Sequence, residues 1–295
     1  PFPEKGLRRI FVEIMSWCHS LQKPLKIAYL GPEGTFTHQA AFQAFGSAVE
    51  FQASQTIDDL FALVEKNNVD FSVVPIENST GGVVHQVLDR FLNTDVLIIS
   101  ETIMYIHHCL ISMYPLEKIE SIYSHPQPFL QCRKWLRENL PTAKHIEVSS
   151  TVEGVSRAAK TENGAAIGSR MAAEINDMKV IASDIQDSSE NYTRFVVLGY
   201  HRPPASGHDK TSMILSIKHK PGSLFEALKP FADEGVNLTK IESRPTRQRP
   251  WEYVFFIDFE GHMGDEKVKK VLQKVSPHTV FIKILGSYPR ASSAS

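Results

Sequence analysis

The stretch Phe71-Ser72-Val73-Val74-Pro75-Ile76-Glu77-Asn78-Ser79-Thr80-Gly81-Gly82 decides the fold of the first part of the chain. Its apolar first half predicts a buried strand, and its second half predicts a polar loop. A helical pattern follows from Val83 to Leu92. Another helix precedes the strand, with Thr56 as its N-cap and an apolar face formed by Ile57, Leu60, Phe61 and Val64. Strands that alternate with helices are typical of an α/β layer with a parallel or mixed sheet.

The same alternation extends in both directions. Residues 25–30 predict a strand, Gly31-Pro32-Glu33-Gly34 a turn, and Thr35 or Thr37 the cap of a helix that ends near Phe45. A second α/β unit is predicted over roughly 103–185, with strands near 104–112, 120–124 and 164–168 and helices near 128–139 and 151–160.

The chain is predicted to return to the first unit around 194–200. Two lobes joined by two crossings leave a cleft between them, and ligands of such sheets bind beyond the carboxyl ends of the strands. Most of the polar residues that adjoin these strands are predicted at such ends, whereas the polar residues around Thr193 precede their strand.

The pattern changes after the linker His201–Lys210, which contains two prolines and a glycine. Alternating apolar residues predict strands at 213–217, 236–243, 253–259 and 280–285, and helical spacing predicts two helices between them. The order β-α-β-β-α-β is the ferredoxin-like arrangement.

Composition bounds the class of protein. The 295 residues suggest about two domains, and a net charge of −1 argues against bulk electrostatic binding to nucleic acid. No apolar run approaches the roughly 20 residues of a membrane span, and Glu4 and Glu13 argue against a signal peptide. Three widely separated cysteines (Cys18, Cys109 and Cys132) predict no disulfide framework, which fits a reducing cytoplasm.

Four segments that contain a polar or glycine-rich cluster occur in one order along the chain: residues 31–36, 75–82, 124–129 and 191–195. Together they resemble the signature set of prephenate dehydratases, and the resemblance covers about 25–200. It implies a two-lobed, periplasmic-binding-protein-like catalytic domain at 25–202. Its lobes span about 25–102 with 190–202, and about 103–189, and enclose an interlobe cleft.

Residues 210–290 resemble the ACT regulatory domain that follows the dehydratase in that family. The turn Lys220-Pro221-Gly222-Ser223-Leu224 and the motif Glu242-Ser243-Arg244-Pro245 carry this resemblance. It implies a phenylalanine site formed by Pro221, Gly222, Ser223, Leu224, Glu242, Ser243, Arg244 and Pro245. Ser223 departs from the more usual alanine, which bears on effector affinity.

The N-terminal residues 1–24 resemble the last helix of the chorismate mutase module that is fused ahead of the dehydratase in bacterial bifunctional enzymes. The rest of that module is absent from the sequence, so we expect no mutase activity from this chain.

The implied reaction is the conversion of prephenate to phenylpyruvate, a carbon–oxygen lyase (hydro-lyase) step in phenylalanine biosynthesis. Such an enzyme binds two carboxylates and helps a ring hydroxyl leave as water, by general acid catalysis or strong hydrogen bonding. No cofactor is required. The adjacent residues His107 and His108 face opposite sides of a strand, so we expect no metal site.

The family pattern places Thr193 at the reacting centre, where its hydroxyl donates to the leaving oxygen. The alternative is a strand-starting threonine bonded to nearby backbone. Glu77 is the second catalytic candidate, either as an acid whose pKa is raised by burial or as a group that orients its neighbours.

Seven further residues are predicted to bind substrate. Asn78 and Ser79 lie in a loop that offers donors to a carboxylate, and the alternative is an ordinary βα turn with a helix cap. Arg194 either pairs with substrate or anchors Glu77 or Asp184. The remaining candidates are Ser124, Gln131 (alternatively a solvated helix residue), Gly31 and Thr35.

The resemblance also implies a homodimer or tetramer, with phenylalanine as allosteric inhibitor. Two other functions stay open: an arogenate dehydratase, and a two-lobed small-molecule binding protein without catalysis. The mutase-like N-terminus favours prephenate, and the cluster of Thr193 and Asn78 favours an enzyme.

Overall fold

The computed structural model describes residues 4–218, 220–245 and 253–291 of the chain. These residues divide into two compact units: 4–84 with 102–195, and 85–101 with the described residues from 196 onward. Segment 85–101, which was predicted in the first lobe, therefore clusters with the C-terminal part of the chain. In the described ranges, no helix is long and apolar enough to cross a membrane.

The N-terminal part of the chain, together with the returning strand near 192–199, alternates strands and helices, as the hydrophobic pattern predicts. Its elements in chain order are helix α1 (Glu4–Ser20), strand β1 (Lys26–Leu30), helix α2 (Phe36–Phe45), strand β2 (Glu50–Ser54), helix α3 (Ile57–Glu65), strands β3 (Phe71–Asn78) and β4 (Gly82–Val83), helix α4 (His85–Phe91), strand β5 (Leu97–Tyr105) and the returning strand β11 (Tyr192–Gly199).

These strands form one mixed sheet with the order β2-β1-β3-β11-β5, and β4 pairs with β3. Strand β1 is parallel to both β2 and β3, whereas β4 runs antiparallel to the end of β3, with Asn78 opposite Gly82. The polar residues after Ile76 therefore form a tight hairpin at the carboxyl end of β3.

Capping threonines set the starts of two helices, as predicted. The hydroxyl of Thr35 accepts a hydrogen bond from the backbone N–H of His38 at 3.3 Å, and the hydroxyl of Thr56 accepts one from Asp59 at 3.1 Å. Helix α3 buries the four apolar residues that define its predicted face.

The second lobe is built on a separate sheet. Its elements are strands β6 (Cys109–Ser112) and β7 (Ser121–Ser124), helices α5 (Pro126–Gln131) and α6 (Arg133–Asn139), strand β8 (Lys144–Glu147), helix α7 (Thr151–Ala158), strand β9 (Gly164–Gly168), helix α8 (Arg170–Ile175) and strand β10 (Val180–Ala182), with a short 3₁₀ turn at Leu116–Lys118.

The strand order of this sheet is β10-β6-β9-β7-β8. Neighbouring residues of one strand belong to different apolar clusters: Leu110 packs with Ile167, and Ile111 packs with Ala166. Both faces of the sheet are therefore buried, which explains the continuous apolar runs of β6 and β9.

The C-terminal unit has the predicted ferredoxin-like order of elements. It contains strand β12 (Asp209–Ile217), helix α9 (Ser223–Asp233), strands β13 (Leu238–Pro245) and β14 (Tyr253–Glu260), helix α10 (Glu266–Val275) and strand β15 (Thr279–Pro289), with a 3₁₀ turn at Ser276–His278. The sheet order is β13-β14-β12-β15, and residues of both helices share a core with Leu215 and Ile257.

Several details differ from the sequence-based prediction. Strand β11 already begins at Tyr192, so Thr193 lies within the strand and not before it. The predicted strand 104–112 is divided into β5 and β6, and the predicted helix 128–139 is divided at Cys132. Strands β2, β4, β8 and β10 and helix α8 were not predicted. In β2, only the last residue, Ser54, is buried and no apolar run marks the strand.

The N-terminal helix α1 is docked on the first lobe. The carboxylate of Glu13 accepts hydrogen bonds from the hydroxyl and the backbone N–H of Ser47, and the hydroxyl of Ser16 accepts one from Ala48.

A buried ion pair joins two segments of the C-terminal unit. The ammonium of Lys210 lies 2.9 Å from both carboxylate oxygens of Glu101, and both residues are buried. Since either charge alone would be costly to bury, this pair fixes the start of β12 against residue 101.

Gly286 of β15 is the tightest glycine position of the C-terminal unit. A Cβ atom at this position would lie 2.0 Å from the backbone oxygen of Ile98 and 2.9 Å from its carbonyl carbon. We expect Gly286→Ala to lower the free energy of unfolding by roughly 3 kcal/mol, because backbone must move to admit the methyl group. Urea denaturation measures this change.

Gly264→Ala is the matched control, since the nearest atoms there belong to the His262 side chain, which can move. Equal stability of the two variants would contradict the close approach of residues 98 and 286.

Candidate active site

Asn78 joins the end of β3 to the start of β11. Its amide oxygen accepts hydrogen bonds from the backbone N–H groups of Thr80 and Gly81, at 3.1 and 2.7 Å, and from the Thr80 hydroxyl at 2.8 Å. Its amide nitrogen donates to the hydroxyl of Thr193 at 2.8 Å and, at 3.1 Å each, to the Asn191 side chain and the Tyr192 carbonyl. Two N–H groups thus serve three acceptors, so in this arrangement the amide orients Thr193.

A second set of contacts connects this cluster to the other lobe. The amide nitrogen of Gln131, at the end of α5, donates to the Thr80 hydroxyl at 2.6 Å. The amide oxygen of Gln131 lies 2.7 Å from Nε2 of His108. Four side chains therefore lead without interruption from buried His108 to Asn78, which itself holds Thr193.

Thr80 and His108 are the two members of this set that the sequence did not single out. Thr80 lies in the predicted loop but carries no motif of its own, and His108 was considered only as half of a metal pair. The two residues are 28 positions apart in the sequence, so no local pattern indicates that both contact Gln131. The only signal for His108 is its position next to the apolar strand β6, which indicates that it is buried.

Two predicted substrate-binding hydroxyls already have protein partners. Ser79 donates to the backbone oxygen of Glu190 at 2.8 Å and accepts from Tyr192 at 3.0 Å. Ser124 is fully buried and donates to the backbone oxygen of Ile167 at 2.9 Å. These bonds hold Ser79 to the strand start and Ser124 to β9, so both serine hydroxyls are used in support of the fold.

Arg194 is buried and lies 3.9 Å from the Glu77 carboxylate, whose side chain is about a third exposed. This ion pair agrees with the anchoring alternative for Arg194. It also joins the two predicted motifs, because Glu77 precedes Asn78 and Arg194 follows Thr193.

The turn at Gly31–Thr35 reaches the same region. The Thr35 hydroxyl donates to the backbone oxygen of Leu30 at 2.9 Å, and the following residue, Phe36, places its ring edge-on to His108 at 5.5 Å between ring centroids. The carbonyl of Gly34 accepts a hydrogen bond from Ser169 of the second lobe at 2.7 Å.

Burial sets the ionisation of several groups. It lowers the pKa of the His108 imidazole, an effect that the hydrogen bond to Gln131 opposes and neighbouring His107 reinforces. Burial raises the pKa of the Cys132 and Cys109 thiols, so neither cysteine is an activated nucleophile. Among the described residues, no group of three or more histidine, cysteine, aspartate or glutamate side chains could hold a metal ion.

A cavity of about 340 Å³ lies in the C-terminal unit. Its lining includes three residues of the predicted phenylalanine turn (Gly222, Ser223 and Leu224) and the aromatic residues Phe225, Tyr253 and Phe255. The hydroxyl of Ser223 is buried and has no hydrogen-bond partner in the described part of the chain.

The structure does not bring Glu242 and Arg244 to this cavity. Residues opposite each other in a sheet share a face, and Ser243 lies opposite the lining residue Phe255, whereas Arg244 lies opposite Val254. Arg244 donates instead to the Asp89 carboxylate of α4 at 2.8 and 3.0 Å. Within one chain, the predicted motif is therefore divided between the two faces of β13.

Comparison with known proteins identifies the family. The family model for prephenate dehydratase matches residues 27–203, and the ACT domain model matches residues 211–277. The chain belongs to the prephenate dehydratase family. The dehydratase match includes all of the predicted catalytic and substrate-binding residues, from Gly31 to Arg194.

Individual relatives agree with this assignment. The bifunctional chorismate mutase/prephenate dehydratases of Aquifex aeolicus and Pseudomonas aeruginosa are each 45% identical to this chain, over 98% and 99% of its length and 80% of theirs. A prephenate dehydratase from Arthrobacter aurescens, solved in complex with L-Phe, has a TM-score of 0.83 and 34% identity, covering 90% of both chains. The two-lobed fold and the ACT domain are therefore as predicted.

The lowered pKa of His108 predicts a pH dependence of stability. Below about pH 6.5, the unfolded state takes up a proton that the native state accepts only at a lower pH. The free energy of unfolding therefore falls as the pH drops below about 6.5, until the native pKa is reached. Urea denaturation between pH 5 and 8 measures the slope.

His108→Gln should reduce this slope, and the remainder is expected to include His38, whose pKa burial also lowers. The same slope in the variant and the unaltered protein would contradict the assignment to His108.

Proposed function

We propose that this chain converts prephenate to phenylpyruvate, with loss of carbon dioxide and water, and that phenylalanine inhibits it. The observation that carries the catalytic part is the placement of Thr193. Its oxygen accepts the Asn78 amide N–H at 2.8 Å, and no acceptor for its own hydrogen occurs among the described residues. That hydrogen is available to a bound substrate.

The reaction breaks two bonds of the substrate ring. The bond to the ring carboxylate breaks to release carbon dioxide, and its electron pair enters the ring. The opposite hydroxyl leaves with a proton as water, and the ring becomes aromatic. Charge develops on the departing oxygen, so a positioned hydrogen-bond donor lowers the barrier.

We assign the donor role to Thr193, which polarises the leaving hydroxyl. Glu77, whose carboxylate lies 3.9 Å from Arg194, is the group we propose as proton source or as orienting neighbour. We propose that Asn78, Ser79 and Gln131, which belong to this network of hydrogen bonds, position the substrate carboxylates. Gly31 and Thr35, in the turn that precedes Phe36, are proposed to contribute to the same task.

Removing the hydroxyl of Thr193 tests this role. Thr193→Val keeps the shape of the side chain, and we expect it to lower kcat by about 10²-fold, the typical effect of losing one preorganised donor. The ultraviolet absorbance of phenylpyruvate, after addition of prephenate, measures turnover.

Thr193→Ser is the matched control, since it retains the hydroxyl, and it should keep most of the activity. Full activity of the valine variant would exclude the donor role. No turnover of prephenate by the unaltered chain, together with turnover of arogenate, would assign the alternative dehydratase. If the chain binds prephenate or arogenate but turns over neither compound, the result would favour a binding protein without catalysis.

For regulation, we propose that phenylalanine occupies the cavity beside Gly222, Ser223 and Leu224. The aromatic lining suits a phenyl ring, and the buried Ser223 hydroxyl is an unused partner for the polar end of an amino acid. Inhibition then requires that phenylalanine bind the inactive state of the enzyme more tightly than the active state.

We further propose that the functional species, in the cytoplasm, is a homodimer or tetramer. Strand β13 is an edge of the C-terminal sheet, and an edge strand has unpaired backbone groups that can bind a second copy. Pairing of two ACT domains would give Glu242 and Ser243 of one copy a route to the cavity of the other.

Leu224→Ala tests the cavity. We expect it to raise the phenylalanine concentration for half-inhibition by about tenfold, because the ligand loses apolar contact area. Activity without phenylalanine should stay within about twofold of the unaltered enzyme. Steady-state assays with increasing phenylalanine measure both quantities.

Val280→Ala is the control, since Val280 is largely exposed on β15 and does not line the cavity. An unchanged response of the Leu224 variant would place the effector elsewhere.

A further inference from the structure

The contacts from His108 to Thr193 have a direction that can be deduced from donor and acceptor chemistry. The starting point is the amide of Asn78. Two backbone N–H groups, those of Thr80 and Gly81, point at one of its terminal atoms, at 3.1 and 2.7 Å. A backbone N–H can only donate, so this atom is the oxygen, and the nitrogen faces Thr193.

The direction of the next bonds follows by elimination. The Thr80 hydroxyl lies 2.8 Å from the Asn78 oxygen, which cannot donate, so Thr80 donates this bond. Having used its hydrogen, the Thr80 hydroxyl must accept from Gln131 at 2.6 Å, and the Gln131 atom on that side is the nitrogen. The Gln131 oxygen then faces Nε2 of His108 at 2.7 Å, and Nε2 must carry a hydrogen.

The result is a one-way chain of donation: His108 to Gln131, Gln131 to Thr80, Thr80 to Asn78, and Asn78 to Thr193. Each bond polarises the next, and aligned hydrogen bonds strengthen one another by roughly 10–30% per bond. Thr193 is the last acceptor, so its own hydrogen is not used within the chain.

We propose that His108 is a positioning residue for the dehydration: as the neutral Nε2–H tautomer, it fixes the direction of this chain and so leaves the Thr193 hydrogen for the departing hydroxyl. The inference rests on the proposed function for its catalytic consequence, but the tautomer can be tested without turnover.

The surroundings of His108 agree with this tautomer. Its Nδ1 atom is buried without a partner among the described residues, as suits a nitrogen that carries no hydrogen. Burial keeps the ring neutral by lowering its pKa. The edge-on ring of Phe36 and the backbone bond from His108 to Gln186, at 2.9 Å, restrict its movement.

Kinetics of two His108 variants test the positioning role. His108→Leu removes the donor and should lower kcat for prephenate by about tenfold, with KM changed by less than about threefold, because alignment acts in the transition state. His108→Gln supplies an amide N–H near the place of Nε2 and should restore kcat to within about threefold. His107→Gln, at the exposed neighbouring histidine, is the control.

A double variant distinguishes a shared chain from general damage to the fold. Thr80 is exposed, so Thr80→Val should fold normally and lower kcat by about tenfold, while Thr80→Ser should not. If both residues act through one chain, the double variant His108→Leu/Thr80→Val loses little more than the worse single variant, and not the roughly hundredfold product of independent effects. A product of that size, or full kcat in either single variant, overturns the proposal.

Nitrogen-15 NMR of the imidazole gives the second readout. A protonated Nε2 and an unprotonated Nδ1 are expected for His108 at pH 8, and the opposite tautomer overturns the proposal. This spectrum separates the two hypotheses. If the protein has the expected tautomer but does not turn over prephenate, the proposed direction of the hydrogen bonds stands and the proposed function is wrong. If the protein turns over prephenate but has the opposite tautomer, the proposed function stands and the role of His108 is wrong.

Discussion

The amide of Asn78 is the interaction on which the candidate site depends. An amide has one good acceptor and one good donor atom, and here each has three partners. One side chain therefore closes the hairpin after β3 and holds the start of β11 beside it. Leucine, similar in size, would fill the space but would leave these backbone and hydroxyl groups unpaired, at a cost of about 1–3 kcal/mol for each buried one. The tight loop, the strand start and the orientation of Thr193 are thus parts of one arrangement.

Local structure was predictable from the sequence where local chemistry decides it. Thr35 and Thr56 cap helices as expected because an N-cap bond joins residues only three positions apart. The alternation of strands and helices followed from apolar periodicity. The edge strand β2 escaped prediction because most of it is not buried, and the place of Thr193 within β11 was missed because a polar residue gives no strand signal.

The site was predictable only in part. Family motifs supplied Thr193, Asn78 and Gln131, but the links through Thr80 and His108 join residues from different lobes, and no local pattern marks such a pair. The division of Glu242 and Arg244 from Ser243 was within reach, because alternate residues of a strand face opposite sides. The same rule separates the side chains of His107 and His108, whereas the family resemblance groups all four residues of this motif in one pocket.

The two faces of β13 give the motif Glu242-Ser243-Arg244-Pro245 a mechanical meaning. Ser243 lies on the helix-covered side of the sheet, where the cavity lies, whereas Arg244 donates two hydrogen bonds to Asp89 on helix α4. A single strand therefore contributes to the cavity side with Ser243 and to the contact with α4 with Arg244. Because Ser243 and Arg244 are consecutive, the cavity side of β13 and the contact with Asp89 are only one residue apart along the backbone. In sequence, α4 begins only seven residues after Asn78.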